Sequence, residues 1–79
     1  MWWDFILIDE NDEEIVYMYG REAIALDGEI VYDRKTRRWS VTLSCEKDDD
    51  NPVLMAESER KFWQVVKAGF PDNYKVVIP

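Results

Sequence analysis

One stretch of the chain, Asn51 to Pro71, carries both a helix start and a helix stop, and the remaining apolar residues fall in short runs of strand character. Asn51 is a cap residue, and Pro52 follows at the first helical position, where its missing N–H removes no bond. The spacing predicts a helix from about Pro52 to Ala68, with Met55, Phe62, Val65 and Val66 on one side and Glu57, Arg60, Lys61, Gln64 and Lys67 on the rest. Gly69 stands where a left-handed backbone ends a helix, Phe70 is placed to fold back on Val65, and Pro71 blocks continuation. Everything else must be sheet or turn.

Trp2 to Ile8 reads as a strand, because Trp, Phe and Ile suit the pleated conformation and the acidic turn Asp9-Glu10-Asn11-Asp12 bounds it. Both of its faces are apolar, with Trp3, Phe5 and Leu7 on one and Trp2, Ile6 and Ile8 on the other, the pattern of a central strand. Glu14 to Tyr19 pairs with it as a hairpin, placing Ile15, Tyr17 and Tyr19 opposite Val16 and Met18. Gly20 to Asp27 reads as a loop, although Ile24 and Leu26 alternate as they would on a sheet. Glu29 to Tyr32 is the third strand. A turn beginning at Asp33 leads to the fourth, Arg38 to Cys45, where Trp39, Val41, Leu43 and Cys45 alternate with Ser40, Thr42 and Ser44. Tyr74 to Ile78 is the last.

The implied fold class is α+β, a mostly antiparallel sheet of about five strands in the order β-β-β-β-α-β, with one amphipathic helix packed on one face. Alternating directions allow the last strand to join beside the first. With 79 residues there is room for one domain, 1–79, and a 47% hydrophobic composition is enough to give it a core.

The side chains that most often carry chemistry are scarce. The chain has no histidine and a single cysteine, Cys45, which therefore forms no internal disulfide and anchors no Cys/His zinc site. Without a basic neighbour, Cys45 reads as a core thiol and not a nucleophile. Among the carboxylates only Asp4, inside an apolar strand, is expected to be partly desolvated, and a structural role outweighs a catalytic one because no partner groups accompany it. The run from Asp9 to Glu14 invites comparison with a calcium loop, but Glu14 and Gly20 stand where glycine and glutamate are needed, so a solvated turn is the better reading. Asp48-Asp49-Asp50 likewise reads as a solvated turn, its negative charge favourably placed before a helix N-terminus. No cofactor is implied, since the three glycines, at 20, 28 and 69, mark breaks between elements and form no phosphate-binding loop.

The net charge of −7 disfavours nucleic acid and anionic membrane as partners. The one basic patch is Arg34, Lys35, Arg37 and Arg38, next to Trp39. Such a patch can bind phosphate and stack a base, but it equally suits a solvated hairpin tip with Trp39 turned inward. The start of the chain has no basic residue and its apolar run is too short for a signal core or a membrane span, so a soluble, cytoplasmic protein is expected, in the general style of small bacterial proteins.

One helix covers one face of a sheet, yet the first two strands are apolar on both. Trp2, Ile6, Ile8, Val16 and Met18 are therefore the candidate interface, unless the Gly20 to Asp27 loop folds over them with Ile24 and Leu26 inward. Trp63, on the helix flank, is a further candidate contact. These features point to a non-enzymatic module that docks a protein partner or forms a homodimer. The alternative is an acidic inhibitor that fills the nucleic-acid groove of an enzyme with its acidic turns, as phage-encoded and immunity-type proteins do.

Overall fold

A computed structural model describes the whole chain, Met1–Pro79. Five strands form one antiparallel sheet: β1 (Trp2–Glu10), β2 (Glu14–Arg21), β3 (Gly28–Asp33), β4 (Arg38–Leu43) and, after the single helix α1 (Pro52–Lys67), β5 (Asn73–Val77). Their spatial order is β4-β3-β2-β1-β5, so β5 does pair antiparallel with β1. The small α+β fold expected from the sequence is the one observed. No helix is long and apolar enough to cross a membrane.

The turns form where short polar side chains bind local amides. Asn11 Oδ1 accepts from the N–H groups of Glu13 and Glu14 at 2.8 and 2.9 Å, which closes the β1–β2 hairpin. Asp33 Oδ1 accepts from Lys35 and Thr36 at 2.8 and 3.1 Å, and the Arg37 N–H donates to the Asp33 carbonyl at 2.8 Å. At the helix start, Asn51 Oδ1 accepts from Val53 and Leu54. At its end, Gly69 has φ +82, its N–H donates to Val66, and the Phe70 N–H donates to Val65, the paired bonds of a Schellman stop.

The core lies between α1 and one sheet face. Phe62 is its centre, meeting Phe5, Tyr17 and Trp39 with ring centroids 5.6, 5.2 and 5.8 Å away. Aromatic rings gain most from such tilted or edge-on approaches. Trp3, Ile15, Tyr19, Ile30, Val65 and Val76 are also fully buried, and Phe70 docks edge-on against Tyr32 at 4.8 Å.

Several boundaries differ from the sequence expectation. β2 continues through Gly20 to Arg21, because Gly20 gives the Leu26 side chain room to approach the sheet: a Cβ there would stand 2.8 Å from Leu26 Cδ2. β4 stops at Leu43, and the alternation breaks before it. Ile30 pairs with Val41 but Glu29 pairs with Leu43, so a bulge turns Leu43 away from the helix face and leaves it exposed. Cys45, beyond the strand, is buried by the turn that follows. A second bulge between Leu7 and Asp9 in β1 removes Ile8 from the regular alternation with Ile6.

Gly28 is set directly against the Tyr19 ring, and any Cβ at this position would collide with three ring carbons. Because the Tyr19 hydroxyl is hydrogen-bonded at its far end, the ring cannot slide aside. Gly28→Ala is expected to destabilise the fold by about 2 kcal/mol, measured as a lower urea midpoint with an unchanged slope.

Candidate functional site

The sheet face opposite α1 is the candidate interface, and the strand registers fix which side chains share it. Reading across the sheet, successive rows are Val77 and Trp2; Lys75, Asp4 and Gly20; Asn73, Ile6, Met18, Glu29 and Leu43; Asp9, Val16, Val31 and Ser40; and Glu14, Asp33 and Arg38. The apolar residues thus fall in two groups, Trp2 with Val77 and Ile6 with Met18 and Val16, separated by the row of Lys75, Asp4 and Gly20. Trp2 is 38% exposed, Ile6 45% and Val77 63%, whereas Met18 is half-buried and Val16 almost fully buried.

The two possibilities left open for residues 22–27 are both realised in part. Leu26 packs on Gly20 and covers that corner of the face. Ile24 projects entirely into solvent and covers nothing. Between this loop and β5 lies a cleft of about 180 Å³, lined by Asp4 and Ile6 from β1, Ile24 and Leu26 from the loop, and Asn73 and Lys75 from β5. Lys75 lies across the Trp2 ring, its Nζ 5.6 Å from the ring centroid. Of the five candidate interface residues, the structure brings Trp2, Ile6, Val16 and Met18 to one face. Ile8, displaced by the bulge, is 50% exposed at its margin.

The basic patch holds together at the β3–β4 turn, where Arg34, Lys35, Arg37 and Arg38 are all exposed. Arg34 is 3.6 Å from Glu10, an exposed pair. Trp39 does not join the patch. Its ring packs inward on Tyr32 and Phe62, and its Nε1 donates to the Glu59 carbonyl at 2.8 Å, so it offers no open face for stacking a base.

Sequence reasoning missed the most densely bonded polar cluster. Asp48, expected to be a solvated residue of an acidic run, is fully buried, and so is Ser58. Asp48 Oδ2 accepts from the Tyr19 hydroxyl at 2.8 Å and from Ser58 Oγ at 2.7 Å, while Ser58 Oγ accepts from Trp3 Nε1 at 3.0 Å. Arg21 enters from the end of β2. Its Nε is 3.0 Å from Asp48 Oδ1, an ion pair whose N–H is not aimed well enough for a hydrogen bond, and neither atom has another partner. Its remaining nitrogens bind Glu57 and the Leu54 carbonyl, and its guanidinium lies 4.8 Å from the Trp3 ring centroid. The turn can bury Asp48 because Asp49 and Asp50 both take positive φ, 47 and 54, which Asp tolerates better than most residues. The one sequence signal was an arginine just past a predicted strand with a carboxylate-rich turn elsewhere, which does not by itself specify a pair.

Burial drives the Tyr19 hydroxyl far above its ordinary pKa, and burial likewise raises the Cys45 thiol, so both stay protonated at neutral pH. No group of three or more acidic or thiol side chains is arranged to hold a metal ion. Comparisons with protein-family models, curated proteins and solved structures found no match.

Removing Asp48 leaves Arg21 only the partly exposed Glu57 as a carboxylate partner and takes the acceptor from the Tyr19 and Ser58 hydroxyls. Asp48→Ala leaves the Arg21 charge without its fully buried partner, and a loss of about 3 kcal/mol or more is expected in urea unfolding. Alkaline pH tests the same core. Tyr17, fully buried and donating to the Pro71 carbonyl, is pushed up to about 12 by burial first and then by the charges of Asp72 and Glu10. Below pH 10 the folded and unfolded chains both keep this proton. Above it the unfolded chain ionises first, so stability is expected to fall between pH 10 and 12, read by unfolding midpoints at successive pH values.

Proposed function

We propose that the protein is a non-enzymatic interaction module that associates with a second copy of itself through the uncovered sheet face. The observation that carries this reading is the exposure of four large apolar side chains on this side of the molecule, Trp2 and Val77 on one side of the Asp4–Lys75 pair and Ile6 and Ile24 on the other. Large apolar side chains grouped on an exposed face and rimmed by polar ones are a feature of binding sites. The face is also suited to its own image. Asp4 and Lys75 lie side by side in one row, so a two-fold axis through that row sets Lys75 of each copy near Asp4 of the other, with the apolar residues meeting on either side.

The alternative of an acidic inhibitor rests on a different end of the molecule. Asp12, Glu13, Glu14 and Asp33 gather around a shallow depression beside Lys35. The other acidic turn supports that reading less, because Asp48 is turned inward and engaged by Arg21.

Light scattering across a concentration series, at low and high salt, separates the two. Self-association through an apolar face is expected to give a dimer that persists in high salt, and Ile6→Asp is expected to give a folded monomer. A wild-type mass that stays monomeric at every concentration contradicts the self-association reading. An Ile6→Asp variant that unfolds would assign Ile6 to the core instead.

A further inference from the structure

The two edges of the sheet are treated differently. The β4 edge is partly covered: the outward N–H of Val41 donates to Glu59 Oε1 at 2.8 Å, and the strand carries a bulge before Leu43. The β5 edge is open. Met1 and Ile78 exchange both backbone bonds, at 3.0 and 2.8 Å, and the Leu7 N–H donates to Asp72 at 2.8 Å. In an antiparallel ladder alternate residues face the partner strand, so Tyr74 and Val76 turn their backbone groups to β1. Asn73, Lys75 and Val77 turn theirs outward, where no protein group meets them.

Alongside this edge runs an open groove of about 460 Å³ between the strand and the flank of α1, lined by Trp63, Gln64, Lys67, Ala68 and Tyr74. Trp63 is 52% exposed, with the Lys67 ammonium 5.7 Å from its ring centroid. Neither Lys67 nor Lys75 has a carboxylate within salt-bridge distance. Residues 60–79 hold four basic side chains and one acidic one, so this end is cationic on a chain of net charge −7.

We propose that the free β5 edge and the Trp63–Tyr74 groove bind an extended, acidic segment of another polypeptide, which adds to the sheet as a sixth strand. The outward N–H and C=O groups of Asn73, Lys75 and Val77 supply backbone hydrogen bonds, and an unpaired ladder of this kind is satisfied only by a chain that itself alternates donors and acceptors. Side chains of the added strand alternate between two environments. Those on one side meet Lys75, and those on the other enter the groove beside Trp63, Tyr74 and Lys67. A second copy of this chain is a poorer occupant of the edge, because full overlap of β5 with its own image sets Lys75 against Lys75, and like charges directly opposed are destabilising.

The test is selection of a displayed library of random twelve-residue peptides on the intact protein, followed by backbone amide mapping of the enriched peptides by NMR. Enriched sequences are expected to carry alternating Asp or Glu, and their binding to slow exchange of the Asn73, Lys75 and Val77 amides. Val77→Pro removes an outward N–H without breaking a bond to β1, and it is expected to weaken binding about tenfold. Lys75→Glu is expected to weaken it about fivefold. Peptides without acidic residues, enriched peptides that map elsewhere, or no enrichment at all would overturn the proposal. Should Val77→Pro fail to fold, the amide mapping and Lys75→Glu decide the matter. Protection of the same amides in concentrated protein without peptide would assign the edge to a second copy and likewise overturn it.

Discussion

A sixteen-residue helix is the one element available to cover a five-stranded sheet, and the rest of the architecture follows from how it does so. Phe62 presses into the sheet between Phe5, Tyr17 and Trp39, which places the helix over the middle strands and directs every large core side chain to one face. A helix is about 10 Å wide with its side chains, so even this face is only partly roofed. Trp39, Tyr74 and Val41 remain half-buried at its margins. The other face receives only the 22–27 loop.

The helix is held by more than apolar contact. Arg21 and Asp48 carry opposite charges into the interior from the end of β2 and from the turn before α1, and Glu57 and Ser58 meet them from the helix. The end of β2 is thereby fixed to the turn and helix that follow more than 25 residues later. The arrangement is costly unless every partner is present, because each charge has left water and depends on the others for compensation. Trp3 and Tyr19 bridge the cluster to the aromatic core through Nε1 and the hydroxyl, so polar and apolar packing constrain the same two side chains. Gly28, tight against the Tyr19 ring, belongs to the same constraint.

Much of the fold was legible because its signals are local. Asn51-Pro52 and Gly69-Phe70 mark the helix ends through backbone chemistry that involves neighbouring residues alone, and the doubly apolar β1 announced a central strand. The errors arose where distant contacts decide. Leu43 lies on the opposite face because of a bulge that depends on its pairing with Glu29, which the alternation of one strand does not encode. Ile8 was displaced in the same way. Asp48 sat in an acidic run that looked solvated, and only the arrival of Arg21, 27 residues earlier in the sequence, gives it a reason to be buried. The candidate interface was legible as a surplus of apolar residues over the area that one helix covers. The open β5 edge was not, since it follows from strand order and hydrogen-bond phase.

Trp2, Ile6, Ile24 and Val77 are exposed in the single chain, and the proposed self-association requires that they be covered when two copies meet. Relaxation of the Ile6, Ile24 and Val77 methyl groups by a soluble paramagnetic probe, followed by NMR from dilute to concentrated protein, reads this directly. Self-association through this face should give strong relaxation in dilute protein that declines together for all three groups as concentration rises. Protection already present at high dilution, or relaxation that does not change with concentration, would contradict it.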